Sequence, residues 1–142
     1  MQVFRISAVT LLITDMKRSC SFYSRLPGFV LVYGGGRNDS FTTYKIGGIK
    51  PSTYLNLELV ASKSGGTRYL KSAKHLTRII FHTHDVDKLY LHMQKSKTIP
   101  KLINFESGPI DAEWGERYFH VFDPDGYQLS FATPLTKTSD LH

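Results

Sequence analysis

Apolar and polar positions alternate along most of this chain, and where the alternation lapses a three- and four-residue spacing replaces it. Residues 3–14 read as a strand in which Val9, Leu11 and Ile13 oppose Ala8, Thr10 and Leu12. Thr14 or Asp15 can then cap a helix over 15–26, with Met16, Cys20, Phe22, Tyr23 and Leu26 on one face and Pro27-Gly28 ending it. Strands follow at 29–33 and 41–46, joined by a glycine-rich connection, 34–39, expected to be mobile. Residues 54–60 alternate most cleanly, with Leu55, Leu57 and Leu59 against Tyr54, Asn56 and Glu58. The polar stretch 62–76, containing Gly65-Gly66, reads as a linker.

The second half repeats the order. A strand over 77–84 sets Ile79 and Phe81 against Arg78, Ile80 and His82, and Asp85 starts a helix carrying Val86, Leu89, Tyr90 and Met93. Residues 99–105 read as a short, irregular strand, because Pro100 lacks a ladder donor. A hairpin closes the pattern around Asp123-Pro124-Asp125-Gly126, a turn in which Pro124 presets φ, Asp123 supplies a capping carboxylate and Gly126 accepts positive φ. Before the turn Tyr118, His120 and Phe122 share one face; after it Gln128, Ser130 and Ala132 oppose Leu129 and Phe131. The tail 135–142 is polar and expected to fray. The chain thus reads as two copies of one βαβββ unit in a single α+β domain: module one over about 3–61, module two over about 77–134. Each half is expected to curl a mixed sheet around one helix, the two together forming a concave wall.

Composition narrows the classes of function. The 142 residues carry a formal charge of +6, but the basic residues are dispersed, with one modest concentration at Lys63, Arg68, Lys71, Lys74 and Arg78 and no nucleic-acid motif, so we read no nucleic-acid partner. The longest apolar run, 9–13, is far short of a membrane span, and the single Cys20 suits a reduced thiol in a cytoplasmic protein. Gly34-Gly35-Gly36 is a weak phosphate cradle, since no helix opening on Lys-Ser/Thr follows it.

Three stretches carry a resemblance over nearly the whole chain: Val9 through Tyr23 with Pro27-Gly28-Phe29, Ile79-Ile80-Phe81 leading to Asp85-Val86-Asp87, and Trp114-Gly115 leading to Asp123-Pro124-Asp125-Gly126-Tyr127. In this order they resemble the vicinal oxygen chelate superfamily, which includes glyoxalase I, bleomycin and fosfomycin resistance proteins and extradiol dioxygenases. The resemblance implies a glyoxalase/bleomycin resistance-like fold and, in many members, a homodimer, with the linker 62–76 as the pivot for an exchange of halves. Metal-binding members bring His and Glu ligands from four strand positions, which map here onto Ala8, Glu58, Arg78 and Ser130. Only Glu58 is a ligand of the usual kind. A methyl group has no lone pair, a neutral hydroxyl is a poor substitute for a carboxylate, and a guanidinium at about 4 Å and an effective dielectric near 20 would cost about 4 kcal/mol per unit of charge on the ion. The resemblance therefore implies no metal at the usual site. A relocated ion would have to draw on His82, His84, His120 and Glu58, although same-face residues two apart on a strand sit roughly 7 Å from each other.

Strand parity puts Tyr54, Asn56 and Glu58 on the expected wall from one half, and Arg78, Ile80, His82, Tyr118, His120, Gln128 and Ser130 from the other, with Trp114 at the rim. Three functions compete. One is metal-independent binding of an anionic or oxygen-rich small molecule, as in the bleomycin-resistance branch. Another is lyase, isomerase or dioxygenase-like chemistry using a relocated metal or His120 and Glu58 as acid and base, the position of His120 matching a catalytic one in the dioxygenases. The last is a structural or regulatory dimer. The plainer account of Glu58 and Arg78 is mutual pairing, with His120 a satisfied hydrogen-bond partner.

Overall fold

The computed structural model describes residues 1–48, 50–60 and 77–135; the expected linker 62–76 and the tail from Thr136 lie outside the described residues. The chain divides into two compact units, Met1–Ala73 and Lys74–His142. Both are mixed α+β, with sheets of four and five strands.

In the first unit, β1 (Ala8–Ile13), α1 (Met16–Tyr23), β2 (Phe29–Tyr33), β3 (Phe41–Ile46) and β4 (Thr53–Leu59) form a sheet in the order β1-β4-β3-β2. The parallel β1–β4 pair lies beside antiparallel β4–β3 and β3–β2 pairs. Asp15 caps α1 by accepting from the Arg18 backbone N–H at 3.0 Å. The apolar face of the helix, Met16, Cys20, Phe22 and Tyr23, is buried, as are Leu11, Ile13, Tyr44, Leu55 and Leu57 of the strands. Each fully buried aliphatic or aromatic side chain contributes roughly 1.5–3 kcal/mol.

Two boundaries differ from the sequence pattern. Residues 3–7 were expected to begin β1, yet Val3, Phe4 and Ile6 are exposed and outside any strand. Among the described residues β1 pairs with β4 alone, which begins at Thr53, so the described ladder ends at the bond from Tyr54 N–H to the Ser7 carbonyl (2.9 Å), short of residues 3–6. The helix expected to reach residue 26 stops at Tyr23, where Arg25 and Leu26 tighten into bonds to Phe22 and Tyr23, three residues back. The glycine connection is held rather than open. Gly35 N–H donates to Thr42 Oγ1 (2.9 Å) and Gly36 N–H to Asp39 Oδ2 (2.7 Å), which uses two of the donors a phosphate would need. A side chain at Gly34, whose φ is 74°, would run into the Phe41 carbonyl.

The second unit contains β5 (Arg78–His82), α2 (Val86–Lys95), a single helical turn α3 (Ile99–Leu102), β6 (Asn104–Phe105), β7 (Ile110–Asp111), β8 (Glu116–Phe122) and β9 (Gln128–Pro134). Its order, β5-β9-β8-β6 with β7 also on β8, repeats that of the first unit, and its end pair β5–β9 is again parallel. Asp85 caps α2 through Lys88 N–H (3.0 Å), as Asp15 caps α1. The strand expected over 99–105 is instead the turn α3 followed by two strand residues. Pro100 falls in the first turn, where its fixed φ and missing N–H cost nothing, and Ser96 Oγ caps by accepting from Thr98 and Ile99 N–H. Val86, Met93, Ile99, Phe119, Val121, Leu129 and Phe131 form the core.

Candidate functional site

The β8–β9 hairpin positions four of the candidate residues, Tyr118, His120, Gln128 and Ser130. Asp123 Oδ1 accepts from the backbone N–H groups of Asp125 (2.9 Å) and Tyr127 (2.8 Å), and Gly126, at φ 93°, donates to the Asp123 carbonyl (2.9 Å). This turn sets the register Tyr118–Ala132, His120–Ser130 and Phe122–Gln128, while β5 adds Arg78–Gln128, Ile80–Ser130 and His82–Ala132. The opposite face, Phe119, Val121, Leu129 and Phe131, is buried against the core, so the three rows together make one chemical surface.

Along β8 runs a ladder of rings. Exposed Trp114 stacks on Tyr118 with centroids 5.8 Å apart and planes at 22°, and Tyr118 meets the His120 ring at 4.7 Å and 41°. Trp114 is 71% exposed and His120 only 9%, so the ladder descends from solvent into the sheet. Two polar relays flank it. Arg78 Nε donates to Gln128 Oε1 (2.7 Å), and Gln128 Nε2 donates to Glu106 Oε1 (2.9 Å). His82 Nε2 meets Glu116 Oε2 at 2.8 Å, and Trp114 Nε1 donates to Glu116 Oε1 (3.0 Å), which fixes the indole over Tyr118. These two bonds, that of His82 first, hold the Glu116 carboxyl below its usual range.

His120 has a different environment. Its Nδ1 is buried with no hydrogen-bond partner among the described residues. Burial above all, then the charge of Arg78, pushes its pKa below the ordinary imidazole value; Glu106 opposes the shift. Ser130 is buried between Ile80 and His120 on the neighbouring strands.

Of the residues expected from the first unit, Asn56 is engaged within its own sheet: Thr43 Oγ1 donates to its Oδ1 (2.8 Å) and its Nδ2 donates to Thr10 Oγ1 (3.1 Å). Tyr54 and Glu58 share this face, and Glu58 is exposed. Arg78, in the second unit, bonds to Gln128 of its own sheet.

The registers also relate the mapped positions of the two halves to one another. Arg78 lies seven residues before its helix-capping Asp85, as Ala8 lies seven before Asp15. Ser130 lies two beyond the partner of Arg78, and the residue two beyond the partner of Ala8 is Asn56, whereas Glu58 corresponds to Ala132. Ala8, Glu58, Arg78 and Ser130 do not fit a divalent cation, since Glu58 is the one anion, none is an imidazole and Arg78 is a permanent cation; Asn56 in place of Glu58 would remove the anion as well. His82, offered for a relocated ion, is bonded to Glu116, and among the described residues no group of three His, Cys, Asp or Glu side chains could hold a metal. Glu106 and Glu116 are the functional candidates that sequence reasoning missed. Glu116 could have been found by extending the β8 alternation one step back; Glu106 lies beyond a two-residue strand and carried no periodic signal.

This architecture, a repeated βαβββ order with the charged and aromatic residues on one sheet face, defines a class. The chain belongs to the glyoxalase/bleomycin resistance protein/dioxygenase superfamily, whose family model matches residues 5–131. Solved structures share the fold. A glyoxalase/bleomycin resistance protein/dioxygenase from Nocardioides is 17% identical, with 95% of this chain and 86% of that one covered at a TM-score of 0.61. A glyoxalase-related enzyme from Fulvimarina pelagi is 16% identical, with 92% and 88% covered at 0.63. A superfamily member from Sphaerobacter thermophilus is 18% identical, with 92% and 98% covered at 0.59. No curated protein matches the chain. Among the described residues no helix is long and apolar enough to cross a membrane.

Proposed function

We propose that the protein binds a small, flat, anionic or oxygen-rich molecule without a metal and without turning it over, on the Arg78–His120–Tyr118–Trp114 face of its second unit. The observation that carries this reading is Arg78. Gln128 anchors its Nε, while its two terminal nitrogens engage none of the described residues and remain free for a bidentate contact with an oxyanion. The ring ladder beside it supplies area for stacking, and His82, Gln128 and Ser130 supply polar edges. The homodimer typical of the superfamily and a cytoplasmic location, suggested by the lone cysteine, complete the proposal. The test is a screen of aromatic acids by calorimetry. Arg78→Ala is expected to weaken any hit at least tenfold, the loss of about 1.5–3 kcal/mol expected for a charged hydrogen-bonded contact. A hit that Arg78→Ala leaves unaltered, or a stoichiometric metal in untagged protein, would overturn it. Light scattering after size exclusion tests the dimer, and a monomer would refute it.

A further inference from the structure

An imidazole meets a ligand as a cation or as either of two neutral tautomers, and the surroundings of His120 separate the three. The cation and the Nδ1–H tautomer each place a proton on Nδ1. That nitrogen is buried and has no acceptor among the described residues, so either form would hold an orphaned buried N–H, a group folded proteins almost never tolerate. None of the described neighbours accepts from it, and the Glu106 carboxylate is bonded through Oε1 to Gln128. On β9 the directly opposite residue is Ser130, on β5 beyond it is Ile80, and on its own strand Tyr118 packs against the ring. The backbone N–H of Glu106 is spent on the carbonyl of His120 itself (3.0 Å). The charged groups felt at the ring are Arg78 and Glu106, and they act in opposite directions. Only the Nε2–H tautomer leaves nothing worse than an unpaired lone pair at Nδ1.

We infer that His120 is a neutral imidazole with its proton on Nε2, a fixed hydrogen-bond donor that, beside the Arg78 guanidinium, selects ligands presenting a carboxylate on a flat ring and shuttles no proton. This ligand class rests on the binding reading above; the form of the imidazole does not. Glu106 offsets part of the Arg78 charge, so directed donors rather than net charge make the selection. It departs from the acid–base role that the family resemblance implied for this residue.

The test has one arm without ligand and one with. In ligand-free protein, nitrogen-resolved NMR of the six histidine side chains, assigned with His120→Gln, is expected to show a protonated Nε2 and an unprotonated Nδ1 at His120, unmoved over the pH range in which exposed histidines titrate. In the second arm, fluorescence of Trp114, the only tryptophan, follows titration with phenylacetate, phenylacetamide and 2-phenylethylamine. Affinity is expected to fall in that order. His120→Gln, whose amide N–H replaces Nε2–H, retains phenylacetate binding, and His120→Phe weakens it about tenfold or more. A proton on Nδ1, ordinary titration at His120, amine binding as tight as the acid, or loss of binding in His120→Gln equal to that in His120→Phe would each overturn the inference. The expected spectra with no binding by any of the three compounds would sink the binding reading and leave the imidazole assignment supported.

Discussion

The turn of the hairpin that carries Tyr118, His120, Gln128 and Ser130 is pinned by the Asp123 carboxylate, and removing it should be costly. Asp123 is 3% exposed, and its Oδ1 accepts from two backbone donors, Asp125 N–H at 2.9 Å and Tyr127 N–H at 2.8 Å, in residues themselves buried. A hydrogen bond to a charged acceptor contributes about 1.5–3 kcal/mol; because both bonds share one oxygen they do not add fully, and Asp123→Ala is expected to destabilise by about 3 kcal/mol. Asp123→Asn keeps an acceptor oxygen for the two backbone bonds and removes their charge assistance, roughly half the strength of such bonds, so about 1–1.5 kcal/mol is expected from them. Urea unfolding read by Trp114 fluorescence suits the comparison, since the indole is tied to Glu116 at the start of the same strand. With a slope of about 1–3 kcal/mol per molar urea, the alanine variant should unfold at a concentration lower by about 1–3 M. An alanine variant within about 0.5 kcal/mol of the parent, or an asparagine variant as damaged as the alanine one, would refute the reasoning.

Other outcomes follow from the same geometry. The Glu116 carboxyl is held below its unfolded value of about 4.3, so the small stability it adds is present above that pH and is lost as pH falls through the folded value. Glu116→Gln should flatten the acid limb of the urea midpoint and shift Trp114 emission; an unchanged acid limb would count against the His82–Glu116–Trp114 relay. His120 has the same sign of dependence for the opposite chemical reason. Its folded pKa lies below the unfolded value of about 6.5, the unfolded chain binds the proton first, and stability should decline as pH drops below about 6.5 in the parent but less in His120→Gln. Equal slopes in the two proteins would remove the claim. Tyr44 is buried, its hydroxyl 2.7 Å from Ser24 Oγ, and burial pushes its pKa upward. Tyr44→Phe should cost about 1 kcal/mol at neutral pH and relieve part of the stability loss above pH of about 10, which alkaline urea titrations would show or deny.

Local rules in the sequence were sufficient for much of this protein. Period-two alternation placed β4, Asp15 and Asp85 marked both helix starts through bonds three residues ahead, and Asp123-Pro124-Asp125-Gly126 announced the hairpin, because each signal acts within a few residues. Strand parity likewise put Tyr118, His120, Gln128 and Ser130 on one face. Parity could not settle register. A slip of two residues preserves which side chains share a face, so parity left open whether Asn56 or Glu58 stands two beyond the partner of Ala8; the pairing of β4 with β1 makes it Asn56. The same holds for residues 3–6, which alternate like a strand and lie outside the described ladder, and for Glu106, which joins the site through Gln128, a residue 22 positions away. Periodicity determines the direction in which a side chain points; which groups it meets there depends on strands remote along the chain.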